Sequence, residues 1–262
     1  MTINLKLQKL KKNLKAMKSV LIAYSGGVDS TLLLKIAHDV LGNNVLAVIA
    51  GSPTYPQAEI RKALKLAKKL GIKCRLIKTN EFSDPRFVNN PRNRCYYCKL
   101  ELFSSLKKIA KREKLNFVLD GSNYDDLKDF RPGSKAKKEL NVRSPLQEAG
   151  LTKNDIRSLS KKMKLPTWDK PSLACLASRI PYGTPLKKED LEKVNKAEQY
   201  LRKLGFKQVR VRHYGDTVRI EIEKNKIRAF VARRPSPAVK LKKIGYKYIT
   251  LDMEGYRTGS MN

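Results

Sequence analysis

The segment Tyr24-Ser25-Gly26-Gly27-Val28-Asp29-Ser30-Thr31 joins one apolar stretch to another. Paired glycines permit a tight bend that turns successive backbone N–H groups toward one point, and a helix that begins near Ser30 adds the positive end of its dipole. The segment has neither the G-x-x-x-x-G-K-[ST] spacing nor the G-x-G-x-x-G spacing. We interpret it as a phosphate-binding loop unlike those of kinases and dinucleotide-binding folds; the alternative is an ordinary strand-to-helix turn.

Outward from this loop, apolar strands alternate with amphipathic helices. The periodicity predicts strands at 19–24, 44–50, 73–79 and 117–120, and helices at 5–17, 30–40, 57–70 and 100–113. Such alternation is typical of an α/β fold in which a parallel sheet carries helices on both faces. Parallel sheets bind ligands at the carboxyl ends of their strands, where the polar segments 25–30, 51–54 and 121–126 fall.

A different pattern begins near residue 186. A helix at 188–204 precedes strands at 208–213 and 218–223, and Tyr214-Gly215-Asp216-Thr217 between them is a hairpin signal. A helix at 226–232 and a strand at 246–251 follow. We therefore predict two domains: a larger one at 1–185 and a small α+β unit at 186–262 with the order α-β-β-α-β.

The chain is strongly basic. It has 57 Lys and Arg against 24 Asp and Glu, a formal charge of +33 over 262 residues. The charge indicates either a nucleic-acid or polyphosphate surface or a solvated lysine coat, and its spread over the whole chain favours the coat. Lys135, Arg143 and Lys170 are candidates to neutralise phosphate. Because no apolar stretch approaches the roughly 18 residues of a membrane span, we expect a soluble cytoplasmic protein.

Four cysteines are too few for a disulfide framework in a chain of this length. Cys95 and Cys98 have a C-x-x-C spacing, which in a reducing compartment indicates a metal site or redox thiols. Cys74 lies in an apolar strand, where we expect a small buried side chain. Cys175 is the remaining thiol, in a segment rich in Pro, Ser and Gly.

The loop motif resembles the PP-loop of the ATP pyrophosphatases, which have the adenine nucleotide alpha hydrolase-like fold. Such enzymes bind ATP, release pyrophosphate and attach AMP to a substrate oxygen. The resemblance implies that the loop holds the pyrophosphate, that Mg2+ binds the ATP phosphates, and that Asp29 also serves catalysis. The implied nucleotide- and Mg2+-binding residues are Ser25, Gly26, Gly27, Asp29, Ser30, Ala50, Ser52, Gly121, Asp125 and Asp126.

Further motifs, spread over nearly the whole chain, are similar to those of the LarE family. They are Asn93-Arg94-Cys95-Tyr96-Tyr97-Cys98-Lys99, Asp129-Phe130-Arg131-Pro132-Gly133, Arg143-Ser144-Pro145-Leu146, Pro166-Thr167-Trp168-Asp169-Lys170-Pro171 and Ser178-Arg179-Ile180-Pro181-Tyr182-Gly183. The resemblance implies an ATP-dependent sulfurtransferase. It would adenylate a carboxylate of pyridinium-3,5-biscarboxylate mononucleotide and convert it to a thiocarboxylate, on the route to the nickel-pincer nucleotide.

The cysteines depart from the single-cysteine members of that family, which sacrifice one cysteine as the sulfur source. Alignment on residues 178–183 places the sacrificed position at Ala174, whereas the thiol here is Cys175. Three thiolates suit a [4Fe-4S] cluster with one open iron. We predict that Cys95, Cys98 and Cys175 hold such a cluster, which delivers sulfide from an exogenous donor, with Cys175 also catalytic. The alternatives are structural zinc with an unrecognised fourth ligand and a persulfide or disulfide pair.

Arginines in the second domain are candidates for binding the mononucleotide. A strand period of two places Arg210 and Arg212 on one face, where they form a fork for an anionic group. By the resemblance, these arginines and Arg179 would bind the substrate. The alternative is a solvated strand face on which the arginines pair with Glu221 or Glu223 across the hairpin.

Two other functions compete with this one. A PP-loop tRNA-thiolating enzyme would also combine ATP, an iron-sulfur cluster and a basic surface, although the chain has no recognisable added RNA-binding module. tRNA is therefore a disfavoured partner. An amidating synthetase of the NAD type would leave the thiols without a role. The LarE resemblance also implies a homo-oligomer, and no membrane partner is expected.

Overall fold

The protein is described from a computed structural model that covers residues 1–127, 132–171 and 174–257. Asp129 and Arg131 of the family motif lie outside these residues. The chain divides into two compact units, which are described separately below. The first comprises Met1–Phe87 and Asn93–Leu173, and the second comprises Val88–Arg92 and Ala174–Asn262. The domain limits at 185 and 186 stay a prediction.

The first unit is built on a parallel sheet of four strands in the described residues. The strands are β1 (Val20–Ala23), β2 (Val45–Gly51), β3 (Cys74–Lys78) and β4 (Phe117–Leu119). Their order is β3-β2-β1-β4, and all pairs are parallel. The chain leaves β1 toward β2 on one side and reaches β4 on the other, so the sheet has its switch point beside β1. Ligands bind at such a point in open α/β sheets.

Helices surround this sheet, and a short helix follows β3. They are α1 (Ile3–Met17), α2 (Val28–Leu41), α3 (Gln57–Lys69), α4 (Pro85–Val88), α5 (Arg94–Arg112), α6 (Gly133–Glu139), α7 (Pro145–Glu148) and α8 (Lys153–Lys162). None of the helices in the described residues is long and apolar enough to cross a membrane.

The core of the first unit lies on both faces of the sheet. Successive strand residues point to opposite faces, so Val20 and Ile22 of β1 pack with α1 and α2, whereas Leu21 packs with Phe103 and Leu106 of α5. All five side chains are fully buried. Burying each apolar side chain stabilises the fold by about 1.5–3 kcal/mol. The predicted parallel sheet with helices on both faces is confirmed.

Over its described residues, the second unit contains a three-stranded sheet. Its elements are α9 (Lys188–Lys203), β5 (Val209–Tyr214), β6 (Thr217–Ile222), α10 (Ile227–Ala232), α11 (Pro237–Ile244) and β7 (Tyr248–Leu251). β5 and β6 form the predicted hairpin, with Gly215 at a φ of 64°, and β7 pairs parallel to β6. The sequence pattern did not predict α11.

Helix α5 begins at Arg94, six residues before the position predicted from the sequence. Cys95 and Cys98 therefore lie within the first five residues of this helix. Residues three apart in a helix face the same side, so the C-x-x-C spacing brings the two side chains together on α5.

Candidate functional site

The phosphate loop occupies the switch point of the sheet. Tyr24 continues from β1 and donates its backbone N–H to Val48 O of β2 at 2.9 Å, and Gly27 is the N-cap of α2. Gly27 has no side chain to cap the helix, and the first N–H groups of a helix have no intrahelical acceptor. These groups and the helix dipole favour an anion at this end of α2.

Gly26 is required by both its conformation and its surroundings. Its φ is +69°, which lies in a backbone region that residues with a Cβ atom rarely adopt. A Cβ at this position would lie 2.6 Å from Ala63 Cβ of α3. Helix α3 therefore packs directly against the bend, and any larger residue would displace one of the two.

Two serines stabilise the turn from inside. Ser25 Oγ lies 3.0 Å from Ser30 Oγ, and Ser30 Oγ accepts from the Ser25 N–H at 3.3 Å. Gly27 N–H donates to Ser25 Oγ at 3.4 Å. On the neighbouring strand end, a Cβ on Gly121 would lie 3.1 Å from the Ser30 nitrogen. The structure thus brings together the predicted loop residues and Gly121.

Lys170 contacts the loop from a distant part of the sequence. Its Nζ donates to Gly26 O at 2.8 Å and lies 2.8 Å from Glu59 Oε2 of α3. Burial alone would raise the pKa of Glu59, but hydrogen bonds from Lys170 and Lys62 outweigh burial and lower it. Arg157 fixes the Lys170 backbone by donating to its carbonyl at 3.0 Å. A cation is therefore held beside the phosphate loop.

Asp29 stands in the first turn of α2 and is bonded through both oxygens. Asn123 Nδ2 donates to Oδ1 at 3.2 Å, and Lys153 Nζ lies 2.5 Å from Oδ2. Asn123 is buried, whereas Lys153 and Asp29 are about one-third and one-fifth exposed. The carboxylate is thus oriented at the mouth of the loop and remains accessible.

Asp125 and Asp126 bond to backbone N–H groups near Asp29. Asp126 Oδ2 accepts from the Asn123 N–H at 3.0 Å, and Asp125 Oδ2 accepts from the Lys153 N–H at 2.7 Å. These bonds order the segment that follows β4 and the start of α8. Their role as Mg2+ ligands stays a prediction.

The end of β2 contains a buried polar group. Ser52 and Thr54 are almost fully buried, their hydroxyl oxygens are 2.7 Å apart, and Ser52 Oγ donates to Glu81. Ala50 is the penultimate residue of β2. The structure thus places Ala50 and Ser52 at the carboxyl edge of the sheet, and the nucleotide-binding role that the resemblance implies for them stays a prediction.

A buried lysine network beside β4 was not predicted from the sequence. Lys137 is 9% exposed, and its Nζ donates to Ser122 Oγ and Ser144 Oγ, each at 2.9 Å. Asp120 lies 3.4 Å from the same ammonium and accepts from both serine hydroxyls at 2.6–2.7 Å. The only sequence signal was the polar end of β4, because Lys137 looks like one more lysine of the basic coat.

All four cysteines lie in the described part of the chain as thiols. Cys95 is exposed and Cys98 half-buried in α5, and Cys175 is half-buried at the N-cap of the short helical turn Leu176–Arg179. Burial raises the pKa of Cys74 to about 11, so this thiol stays protonated at neutral pH. In the described ranges, no three His, Cys, Asp or Glu side chains group as a metal site.

In the second unit, Arg179 binds the backbone around Cys175. Its Nη1 donates to Ala174 O at 2.9 Å and to Cys175 O at 3.0 Å, and its Nε donates to Glu198 Oε1 at 2.8 Å. Both Arg179 and Glu198 are 1% exposed. Burial alone would raise the pKa of Glu198, but the Arg179 guanidinium outweighs it and the pKa is lowered. This ion pair fixes the turn that presents the Cys175 thiol.

Arg210 and Arg212 are buried and not solvated. Arg212 forms two 2.9 Å bonds to Glu221, the partner considered in the alternative interpretation of this strand. Arg210 stacks over the Tyr256 ring at 5.1 Å, and burial, with the nearby charge of Arg179, lowers its pKa. The role of the two arginines in substrate binding stays a prediction.

Comparisons with known proteins show which family the chain belongs to. A family model described as NAD synthase matches residues 2–88, which include the phosphate loop. The chain is 42% identical over 250 residues to the pyridinium-3,5-bisthiocarboxylic acid mononucleotide synthase of Lactiplantibacillus plantarum, covering 95% of this chain and 91% of that protein. The chain belongs to the LarE family.

Other relatives of this LarE family member match over similar lengths. An uncharacterized protein of Synechocystis is 44% identical over 259 residues, which are 98% of this chain and 97% of that protein. An uncharacterized protein of Methanocaldococcus jannaschii is 32% identical over 256 residues, 97% and 98% of the two chains. Membership of the family makes the chain an ATP-dependent sulfurtransferase with the PP-loop fold, as the resemblance implied.

Proposed function

We propose that this enzyme forms a thiocarboxylate on pyridinium-3,5-biscarboxylate mononucleotide. The relative from Lactiplantibacillus plantarum is named for the bisthiocarboxylate product. The observation that supports the proposal most directly is the phosphate loop, whose helix N-terminus lacks a capping side chain and lies beside Asp29 and Lys170. The reaction belongs to the biosynthesis of the nickel-pincer nucleotide.

Activation precedes sulfur insertion because an oxide ion is a very poor leaving group. A substrate carboxylate oxygen bonds to the α-phosphorus of ATP, and the bond to the pyrophosphate oxygen breaks. A sulfide then attacks the carbonyl carbon of the acyl-adenylate, and AMP leaves with the electron pair of the C–O bond. The product is a thiocarboxylate with AMP and pyrophosphate.

The first unit contains the groups that this activation needs. The α2 N–H groups and the Lys170 ammonium stabilise the charge on the departing pyrophosphate. Asp29, with the predicted ligands Asp125 and Asp126, supplies carboxylate oxygens of the kind that Mg2+ prefers, and bound Mg2+ neutralises phosphate charge. Ser52 would contact the nucleoside from the end of β2.

The second unit contains the groups proposed for the mononucleotide. One arginine, Arg179, lies in the short helical turn that follows Cys175, and two more, Arg210 and Arg212, lie in β5. Guanidinium groups bind phosphate in a bidentate manner. Since Arg212 is already paired with Glu221, substrate binding would exchange or share that partner.

We propose a [4Fe-4S] cluster on Cys95, Cys98 and Cys175 as the site that delivers sulfide. The donor set supports it: Cys95 and Cys98 share one helical turn, and Cys175 is the other thiol outside the strands, since Cys74 is part of β3. A cluster held by three cysteines would leave one iron without a protein ligand, and that iron would be available to bind sulfide. An exogenous sulfide donor would then permit repeated turnover.

The experiment is a turnover assay with Mg·ATP, the mononucleotide and sulfide, read by mass spectrometry. We expect the mass of the mononucleotide to increase by the difference between one sulfur atom and one oxygen atom. AMP and pyrophosphate should form at the same time. Asp29→Asn should reduce pyrophosphate release at least about 100-fold, as expected when a group that acts on the reacting phosphate is removed. Pyrophosphate release without any sulfur in the product would contradict the proposal.

The sulfur source is tested separately. Anaerobically purified protein should contain about four iron and four sulfide per chain, and Cys98→Ser should lose both while still releasing pyrophosphate. Stoichiometric zinc in a colourless protein would contradict the cluster and would indicate a structural zinc site instead. Dehydroalanine at Cys175 after one turnover would show a sacrificed cysteine.

A further inference from the structure

Helix α6 packs against the start of α5, residues 94–99, which carries Cys95 and Cys98 and is called the thiol turn below. It also contacts the end of β4, which borders the phosphate loop. All of these elements belong to the first unit. The helix spans only Gly133–Glu139, and two of its residues, Ala136 and Lys137, are buried. A buried lysine in so short a helix needs a reason, because burying an ammonium group is costly unless it is paired and hydrogen-bonded.

One side of α6 packs on the thiol turn. A Cβ on Gly133 would lie 2.9 Å from Lys99 Cγ and 3.4 Å from Cys95 O, so the helix approaches α5 as closely as a glycine permits. Tyr96 Oη donates to Glu139 Oε2 at 2.8 Å at the other end of α6. One of the two residues between the cysteines is therefore hydrogen-bonded to α6 as well.

The other side of α6 is tied to the end of β4 through Lys137. Its ammonium bonds to Ser122 and Ser144 and pairs with Asp120. Between Asp120 and Ser122 lies Gly121, the residue that contacts the backbone of Ser30 in the phosphate loop. A continuous set of contacts therefore runs from the loop to the thiol turn.

We propose that Lys137 is a positioning residue, which holds α6 and thereby the Cys95–Cys98 turn in a fixed place relative to the phosphate loop. The inference rests on the proposed function, in which an adenylate formed at the loop must meet sulfur supplied through these thiols. Reactions that depend on the geometry of two groups lose rate when either is displaced by about 1 Å. Lys137 acts through α6 and is not expected to touch the substrate.

The test compares Lys137→Met with Lys138→Met, whose side chain is exposed on the same helix. The assay separates pyrophosphate release from thiocarboxylate formation with the mononucleotide, Mg·ATP and sulfide. We expect Lys137→Met to retain pyrophosphate release within about twofold and to lose at least tenfold in thiocarboxylate formation. Lys138→Met should match the parent in both.

Hydrogen exchange provides a readout that does not need the reaction. In Lys137→Met, amides of residues 94–99 should exchange at least fivefold faster, while those of β3 stay unchanged. Faster exchange over the whole protein would indicate general destabilisation and would overturn the proposal. An equal loss of pyrophosphate release and of thiocarboxylate formation would also overturn it, because Lys137 would then act on the phosphate loop alone. Unchanged exchange at 94–99 would also overturn it.

A second variant covers the case in which Lys137→Met does not fold. Tyr96→Phe removes only the hydrogen bond to Glu139, and we expect faster exchange at 94–99 and a threefold or greater loss of thiocarboxylate formation, with pyrophosphate release retained. Parent-like behaviour of this variant would overturn the proposal. If the parent itself forms no thiocarboxylate but Lys137→Met still accelerates exchange at 94–99, the proposed function fails while the positioning role stands.

Discussion

Gly26 and Ala63 together define the shape of the phosphate loop. The sequence predicted Gly26 because a tight bend favours glycine, and its positive φ agrees with that reason. The role of Ala63 was not predicted, because it depends on how closely α3 packs against the loop: a Cβ on Gly26 would lie 2.6 Å from Ala63 Cβ. Local pattern predicts backbone requirements well and side-chain neighbours poorly.

Lys170 is expected to strengthen ATP binding. Its ammonium has three donors, of which one bonds to Gly26 O, and it forms an ion pair with Glu59, so it remains suited to approach a phosphate oxygen. A hydrogen bond to a charged group contributes about 1.5–3 kcal/mol, which corresponds to roughly 10- to 100-fold in affinity. Lys170→Met should therefore raise the Kd for ATP by at least about tenfold, as measured by calorimetric titration.

The matched control is Lys62→Met. Lys62 bonds to the other oxygen of Glu59 at 2.9 Å but is 70% exposed, and its contact lies within α3. Exposed pairs contribute about 0–1 kcal/mol, so the Kd should change less than about threefold. An equal loss in both variants would assign the effect to Glu59 and α3 and not to the ammonium beside the loop.

Helix α5 shows where pattern alone was insufficient. The predicted start at residue 100 was wrong by six residues, because Arg94-Cys95-Tyr96-Tyr97 carries no helix-start signal and Asn93 forms no side-chain cap. The turn is stabilised instead by α6, which the sequence also did not predict. A helix of seven residues in a lysine-rich segment has too short a pattern to recognise, and its buried Lys137 depends on tertiary partners.

Glu101 on α5 should make stability depend on pH. Burial, with a contribution from the nearby Glu81 carboxylate, raises the pKa of Glu101 even though the Asn80 N–H bond opposes the shift. An acid with a raised pKa in the folded state stabilises the protein below its unfolded pKa of about 4.3, and this contribution is lost as pH rises through the folded value. Glu101→Gln should therefore raise the Tm by about 2–4 °C at pH 8 and by almost nothing at pH 4.

Thermal unfolding followed by circular dichroism at the two pH values measures this difference. Glu192→Gln is the control, because Glu192 is 71% exposed on α9 and pairs only with Lys196 in the described residues. It should give no pH-dependent difference from the parent. A gain of equal size at pH 4 and pH 8 in Glu101→Gln would show that ionisation is not the cause. Glu101 also lines an open groove of about 670 Å3 with Arg86 and Lys108, where solvent can reduce the effect.

For the molecule as a whole, the alternation of strands and helices was sufficient to predict the parallel sheet. It did not predict the strand order β3-β2-β1-β4, because pairing depends on contacts far apart in sequence. The arginines of β5 show the same limit. Their places on the strand were predicted from the sequence, but their burial against Glu221 and Tyr256 was seen only in the folded structure. The homo-oligomer and the cytoplasmic location stay predictions.

The charge of +33 allows a test of the tRNA alternative. A basic coat binds nucleic acid through counterion release alone, so any tRNA affinity should fall steeply, by about 10³-fold or more, between 50 and 200 mM salt. We expect filter binding to show this loss and no competition between tRNA and the mononucleotide. tRNA binding that persists at 200 mM salt and blocks thiocarboxylate formation would favour a tRNA-thiolating enzyme.

The short segment Val88–Arg92 belongs to the second unit although it is flanked on both sides by the first. Asn90, which is fully buried, donates through Nδ2 to Pro181 O at 2.7 Å and Thr184 O at 3.0 Å, and its carbonyl accepts from Gly183. During synthesis, this pentapeptide leaves the ribosome well before the residues that satisfy it. A fragment cut to begin at residue 186 would keep the buried Glu198 but lose Arg179, its ion-pair partner, and would lose Val88, whose carbonyl accepts from the Leu186 N–H. The smaller unit should therefore not survive proteolytic excision as a folded piece.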